Sequence, residues 1–145
     1  MNRYLPVAAL VCAAVLSSCD KNAVQDITGP VATARIKFFN FGLNAPGVNF
    51  YANDKKMTAI SSTTGAEAVT GVAYGGVGSG GFYSSIDPGQ YTVTGKIAAL
   101  IDKDLAISTT PVTIATGKNY SFYLSGFYDV TAKTVAGFVV EDPFV

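Results

Sequence analysis

Residues 120–125 read YSFYLS, and residues 91–97 read YTVTGKI. In the first, Tyr120, Phe122 and Leu124 alternate with Ser121, Tyr123 and Ser125. In the second, Tyr91, Val93 and Ile97 oppose Thr92, Thr94 and Lys96. Successive side chains of a strand point to opposite faces, so a period of two marks strands with one face in a core. Working outward, ARIKFFNF (34–41), VNFYA (48–52), GFYSSI (81–86), LAISTTPVTI (105–114) and VAGFVV (135–140) are further strand candidates, rich in β-branched and aromatic residues. Turn chemistry separates them: Asn44-Ala45-Pro46-Gly47, Asn53-Asp54, Asp87-Pro88-Gly89 and Thr116-Gly117-Lys118-Asn119. Proline presets φ at such positions and glycine accepts positive φ. After the N-terminal segment no run of ten or more residues has helical periodicity. The expectation is an all-β chain: an antiparallel β-sandwich of about seven or eight strands in an immunoglobulin-like arrangement.

The N-terminal segment has a different character. Arg3 supplies a positive charge, Leu5 to Leu16 is a nearly unbroken apolar run, and Ser17 and Ser18 precede Cys19. Those 12 residues fall short of the roughly 20 that a membrane-crossing helix needs. They fit the apolar region of a cleaved secretory signal instead. The expected organisation is a signal peptide at 1–18, a modified N-terminus with a polar tether at 19–33, and the β-sandwich at 34–145. The tether, DKNAVQDITGPVAT (20–33), is polar, lacks clear periodicity and contains Gly29-Pro30.

Composition removes several function classes. The chain of 145 residues contains no histidine and two cysteines, Cys12 and Cys19. Cys12 lies inside the signal, so cleavage before Cys19 leaves no second thiol for an internal disulfide. Absence of His removes His-based acid–base catalysis, Ser-His and Cys-His nucleophile pairs, and zinc sites built from His or Cys. Lys and Arg number 10 against 10 Asp and Glu, and loss of Arg3 shifts that balance by a single charge. Such near-neutrality provides no footprint for nucleic acid.

Leu16-Ser17-Ser18-Cys19 resembles the lipobox of bacterial lipoproteins: an aliphatic residue, two small residues, then cysteine. The resemblance implies cleavage between Ser18 and Cys19 and a diacylglycerol on the Cys19 thiol, with no other cofactor. Each buried methylene of an acyl chain contributes about 0.8 kcal/mol, so two or more chains hold firmly. ARIKFFNFGLNAPGVNFYAND, AYGGVGSGGFYSSIDPGQYTVT, VTIATGKNYSFYLSG and the closing VVEDPF resemble successive blocks of the domain of unknown function 4397 family. The matching positions are Arg35, Asn40, Pro46, Tyr51, Tyr74-Gly75, Pro88-Gly89-Gln90-Tyr91 and Gly117-Lys118-Asn119-Tyr120. Asn49 departs from the pattern, which commonly has an acidic residue there. The resemblance runs from about Ala34 to Phe144 and implies a β-sandwich in the bacterial envelope without a defined activity.

Four motifs carry ordinary readings. GGVGSGG contains Gly76-x-Gly78-x-x-Gly81, but strand and turn follow it where a dinucleotide fingerprint needs a helix. A loop or bulged connection is expected there. Asp102-Lys103-Asp104 falls short of the six to eight oxygens that calcium takes and reads as a solvated turn. Glu141 and Asp142, as adjacent strand residues, point to opposite faces and make no glycosidase pair. The fourth is aromatic: Tyr51, Tyr83, Tyr123 and Tyr128 are taken to lie outside the core, as candidates for contact with a ligand or partner. The ordinary reading, preferred here, has these tyrosines completing a second, partly covered sheet face.

The expected function is a non-enzymatic cell-envelope lipoprotein, a structural or interaction module at the outer membrane or cell surface. Its expected partners are the membrane, through the N-terminal lipid, and an envelope protein or polysaccharide. The alternative is a carbohydrate- or ligand-binding surface module using exposed tyrosines.

Overall fold

The computed structural model describes residues 33–58 and 70–143. Cys19, Ser18, the signal peptide and all but the last residue of the tether lie outside the described residues. The sandwich falls within a compact unit, Ala32–Val145.

Among the described residues nine strands follow one another: β1 (Ala34–Leu43), β2 (Val48–Ala52), β3 (Lys55–Lys56), β4 (Gly76–Val77), β5 (Ser84–Ile86), β6 (Gly89–Ile97), β7 (Ala106–Ile114), β8 (Asn119–Asp129) and β9 (Thr134–Asp142). A 3-10 turn, Gly78–Gly81, lies between β4 and β5. Sheet I has the order β4-β1-β8-β9, with β5 also paired to β1, and sheet II the order β3-β2-β6-β7. The architecture is an all-β sandwich. One pairing departs from the antiparallel expectation, because β1 and β8 run parallel from Arg35↔Asn119 to Leu43↔Phe127. The remaining pairings are antiparallel.

Period two explains which residues meet in the middle. Ile36 and Phe38 of β1, Phe50 of β2, Val93 of β6, and Phe122 and Leu124 of β8 are each at most 1% exposed. Phe38 and Phe122 come from sheet I, and Phe50 reaches between them from sheet II. Ring centroids lie 5.2 Å apart for Phe38–Phe50 and 5.6 Å for Phe50–Phe122, the latter edge-on at 69°. Burying each of these rings contributes about 2–3 kcal/mol, with a further ~1 kcal/mol from each favourable ring pair.

Asn40 positions a loop from inside the core, and Gly137 lets two strands approach. Asn40 points inward from β1 and is fully buried. Its Nδ2 donates to the carbonyls of Val72 at 2.9 Å and Pro46 at 3.2 Å, and its Oδ1 accepts from the Gly42 N–H at 3.2 Å. The side chain thus holds the β1–β2 turn against the segment before β4. Gly137 of β9 faces Ser108 and Thr110 of β7 so closely that a Cβ there would lie 2.5 Å from Ser108 Oγ and 2.8 Å from Thr110 Oγ1. Thr110 Oγ1 donates to the Gly137 carbonyl at 3.2 Å, so the last strands of the two sheets touch along one side.

GGVGSGG forms β4 and the 3-10 turn, with strand β5 following the short Phe82-Tyr83 link. Asp102–Asp104 is an exposed turn in which Asp102 Oδ2 pairs with Lys133 Nζ at 2.6 Å.

Candidate functional site

The outward residues of the two sheets differ in chemistry. On sheet II they include four threonines, Thr92, Thr94, Thr109 and Thr113, with Thr94 in register with Thr109 and Thr92 with Pro111. Tyr51 lies on that face, its ring under Lys96 Nζ at 4.6 Å from the centroid. On sheet I, register places Val77, Phe39, Tyr123 and Phe138 in one row across β4, β1, β8 and β9. Phe41 lies beside that row, 6.0 Å from Tyr123.

The row is a stack of rings. Phe39 and Tyr123 are 4.8 Å apart at 12°, and Tyr123 and Phe138 are 5.3 Å apart at 23°. Near-parallel rings at such spacing overlap face to face, because side-by-side coplanar rings need more room than one strand spacing of about 4.8 Å. The rings therefore cover one another's faces and turn their edges outward. Phe41, Phe138 and Val140 nevertheless remain 43–46% exposed.

A polar cluster flanks the row on the side where β1 begins. Asp142 Oδ2 accepts from Tyr83 Oη at 2.8 Å and from Ser121 Oγ at 2.7 Å. Lys37 Nζ sits 4.0 Å from the centroid of the Tyr83 ring. Burial, followed by the hydrogen bond to Asp142 and that carboxylate's charge, pushes the Tyr83 phenol up to about 12. Each effect penalises the phenolate, so Tyr83 is a neutral donor at ordinary pH.

The four tyrosines expected outside the core do not form one site. Tyr83 and Tyr123 share the outer face of sheet I, while Tyr51 belongs to sheet II. Tyr128 corrects the expectation: it continues the inward set of Tyr120, Phe122 and Leu124 and packs, half-buried, against the core. Phe39, Phe41 and Phe138, which complete the aromatic face, were not among the candidates. Alternation alone turns Phe39 and Phe41 away from Phe38, so half of that signal was present in the first strand.

Elsewhere, an open depression of about 470 Å³ lined by Asn53, Gln90, Tyr91 and Thr113 contains no acid–base pair. Glu141 pairs with Lys118 at 2.7 Å, away from Asp142. Among the described residues, no three His, Cys, Asp or Glu side chains are grouped to hold a metal ion. No helix among them is long and apolar enough to cross a membrane.

The fold and this face define an all-β sandwich with one aromatic sheet surface. No family model matches the chain, and no curated protein matches it. Among solved structures, the C-terminal domain of AlgF from P. aeruginosa aligns over 77% of this chain and 99% of that one, at 19% identity and a TM-score of 0.37.

Proposed function

We propose that the chain is a non-enzymatic lipoprotein of the bacterial cell envelope, whose sandwich presents the outer face of sheet I to a partner protein. The observation that carries this is the contrast between the two outer faces, one rich in threonine and the other a partly exposed aromatic row. Exposed apolar patches with a polar rim mark interaction surfaces. Here the rim is Lys37, Tyr83, Ser121 and Asp142. The lipobox-like Leu16-Ser17-Ser18-Cys19 supports lipid attachment at Cys19 and, with it, an envelope location.

Ring geometry favours a protein over a polysaccharide. A sugar stacks on a ring face lying along the surface, whereas Phe39, Tyr123 and Phe138 turn edges outward. Edges suit the interdigitating side chains of a protein interface.

Two experiments test the reading. A photo-crosslinking residue at Phe138 should capture one discrete envelope protein, while the same residue at Thr113 on sheet II should not. Equal capture from both positions, or none from Phe138, refutes the face assignment. For the anchor, a clickable fatty acid should label the wild type and fail to label Cys19→Ala; retained label refutes lipidation at Cys19.

A further inference from the structure

The turns after β1, β6 and β8 gather at one end of the sandwich. β1 runs from Ala34 to Leu43, β8 runs beside it in the same direction, and β6 ends at Ile97 opposite Val48, where β2 begins. Turns are ordinarily polar, yet this end is not. Leu100 and Ile101 in the β6–β7 loop are each 82% exposed, Phe127 near the end of β8 is 76% exposed and Val130 in the β8–β9 turn 71%. The Lys133–Asp102 ion pair ties that loop to that turn, and Phe127 is in register with half-exposed Leu43. The apolar side chains therefore share one convex tip. The opposite end, where Ala34 begins, carries Asn53, Asp54, Asp87 and Lys118 instead.

We propose that this tip inserts into the boundary between headgroups and acyl chains of a lipid bilayer, and that zwitterionic lipid is the surface it fits. Its shape is one argument. Projecting hairpins carry their apolar residues outward, as insertion requires. Charge is a second argument. The collar beside the tip holds Asp102, Asp104 and Asp129 against Lys103 and Lys133, so it is nearly balanced and offers no polybasic patch to anionic lipid. Two of its carboxylates already have partners: Asp102 binds Lys133, and Asp129 Oδ1 accepts from the N–H groups of Thr131 and Ala132 at 2.8 Å. Paired charges cost less to bring to a drier layer.

Chain length supplies a third argument, resting on the proposed anchor. The 14 residues between Cys19 and Ala34 span at most about 48 Å at ~3.4 Å each. The ten residues of β1 rise about 33 Å. A lipid at Cys19 thus leaves enough chain for the tip to meet the bilayer that holds the anchor. The affinity of the tip itself does not depend on that lipid.

The test uses the acyl-free chain beginning at Asp20, which keeps the whole core between Ala34 and Val135. It is floated with phosphatidylcholine vesicles. The wild type should float with the lipid and stay bound at about 1 M salt, where exposed charges are screened. Combined Leu100→Asp and Ile101→Asp should lower partitioning by roughly tenfold or more, while Thr113→Asp on sheet II should leave it unchanged. Both altered tip residues lie outside the core, so circular dichroism and melting should not move. A wild type that fails to float overturns the proposal, as does a tip variant that floats equally well. Binding confined to vesicles with added phosphatidylglycerol and released by salt also overturns it. So does a concentration-dependent dimer that the tip variant abolishes, which assigns the tip to a second copy. Crosslinking from Phe138 reads the sheet face and is decided separately.

Discussion

Asn40→Ala should destabilise the sandwich more than any single surface change. The side chain is fully buried and makes three hydrogen bonds to backbone groups, at 2.9, 3.2 and 3.2 Å. A net contribution of about 1 kcal/mol per bond gives about 3 kcal/mol, and the cost rises where a stranded carbonyl finds no water. Asn40→Asp separates the bonds by type. It keeps an acceptor for the Gly42 N–H but sets a carboxylate oxygen against the carbonyls of Val72 and Pro46. The protonated acid can still donate, so the folded state raises the pKa at this position above its unfolded value of about 3.9. Stability of that variant then falls as pH rises above about 4, by at most ~1.4 kcal/mol per pH unit, until the folded-state pKa is passed. Urea unfolding at pH 4 and pH 8 reads both effects. With a slope near 1.5–2 kcal/mol/M, Asn40→Ala should lower the midpoint by roughly 1.5–2 M. A loss below about 1 kcal/mol, or an Asn40→Asp variant equal to Asn40→Ala at pH 8, refutes the assigned roles.

Two more outcomes follow from the geometry. Ultraviolet titration should show a phenol ionising near pH 12 that is lost in Tyr83→Phe; Asp142→Asn should bring it back towards 10. Because the folded pKa is raised, that stabilisation is fully present below about pH 10 and lost as pH rises through about 12. Gly137→Ala places a methyl group 2.5 Å from Ser108 Oγ and 2.8 Å from Phe122 Cζ. It should cost about 1–3 kcal/mol in thermal or urea unfolding, and a neutral result would mean β7 and β9 are not held so tightly.

Much of the fold was legible because both sheets bury one face. VNFYA coincides with β2, and the inward sets of Tyr91, Val93 and Ile97 and of Tyr120, Phe122 and Leu124 are as periodicity placed them. β3 and β4 were not legible, since two residues hold no period. The aromatic face was half-legible. Alternation turned Phe39 and Tyr123 outward, but their contact depends on β1 lying beside β8, which no local signal encodes. Tyr83 and Asp142 meet across 59 positions for the same reason. The apolar tip was not legible: Leu100 and Ile101 precede a charged turn in the chain, but only the fold brings Phe127 and Val130 to the same end.

The parallel pairing of β1 with β8 also sets an order of events. Arg35 finds its partner at Asn119, so the first strand has nothing on that side until most of the chain has emerged. Sheet II draws its strands from the middle of the chain, with β2 and β6 adjacent and β7 next to β6. Closing long loops before their contacts form makes folding slow. A half-made chain can thus join sheet II while β1, with Phe39 and Phe41 on it, waits unpaired along one edge. For that interval it is a bare template for another chain. Whatever escorts this protein before its end is made has one strand to shield.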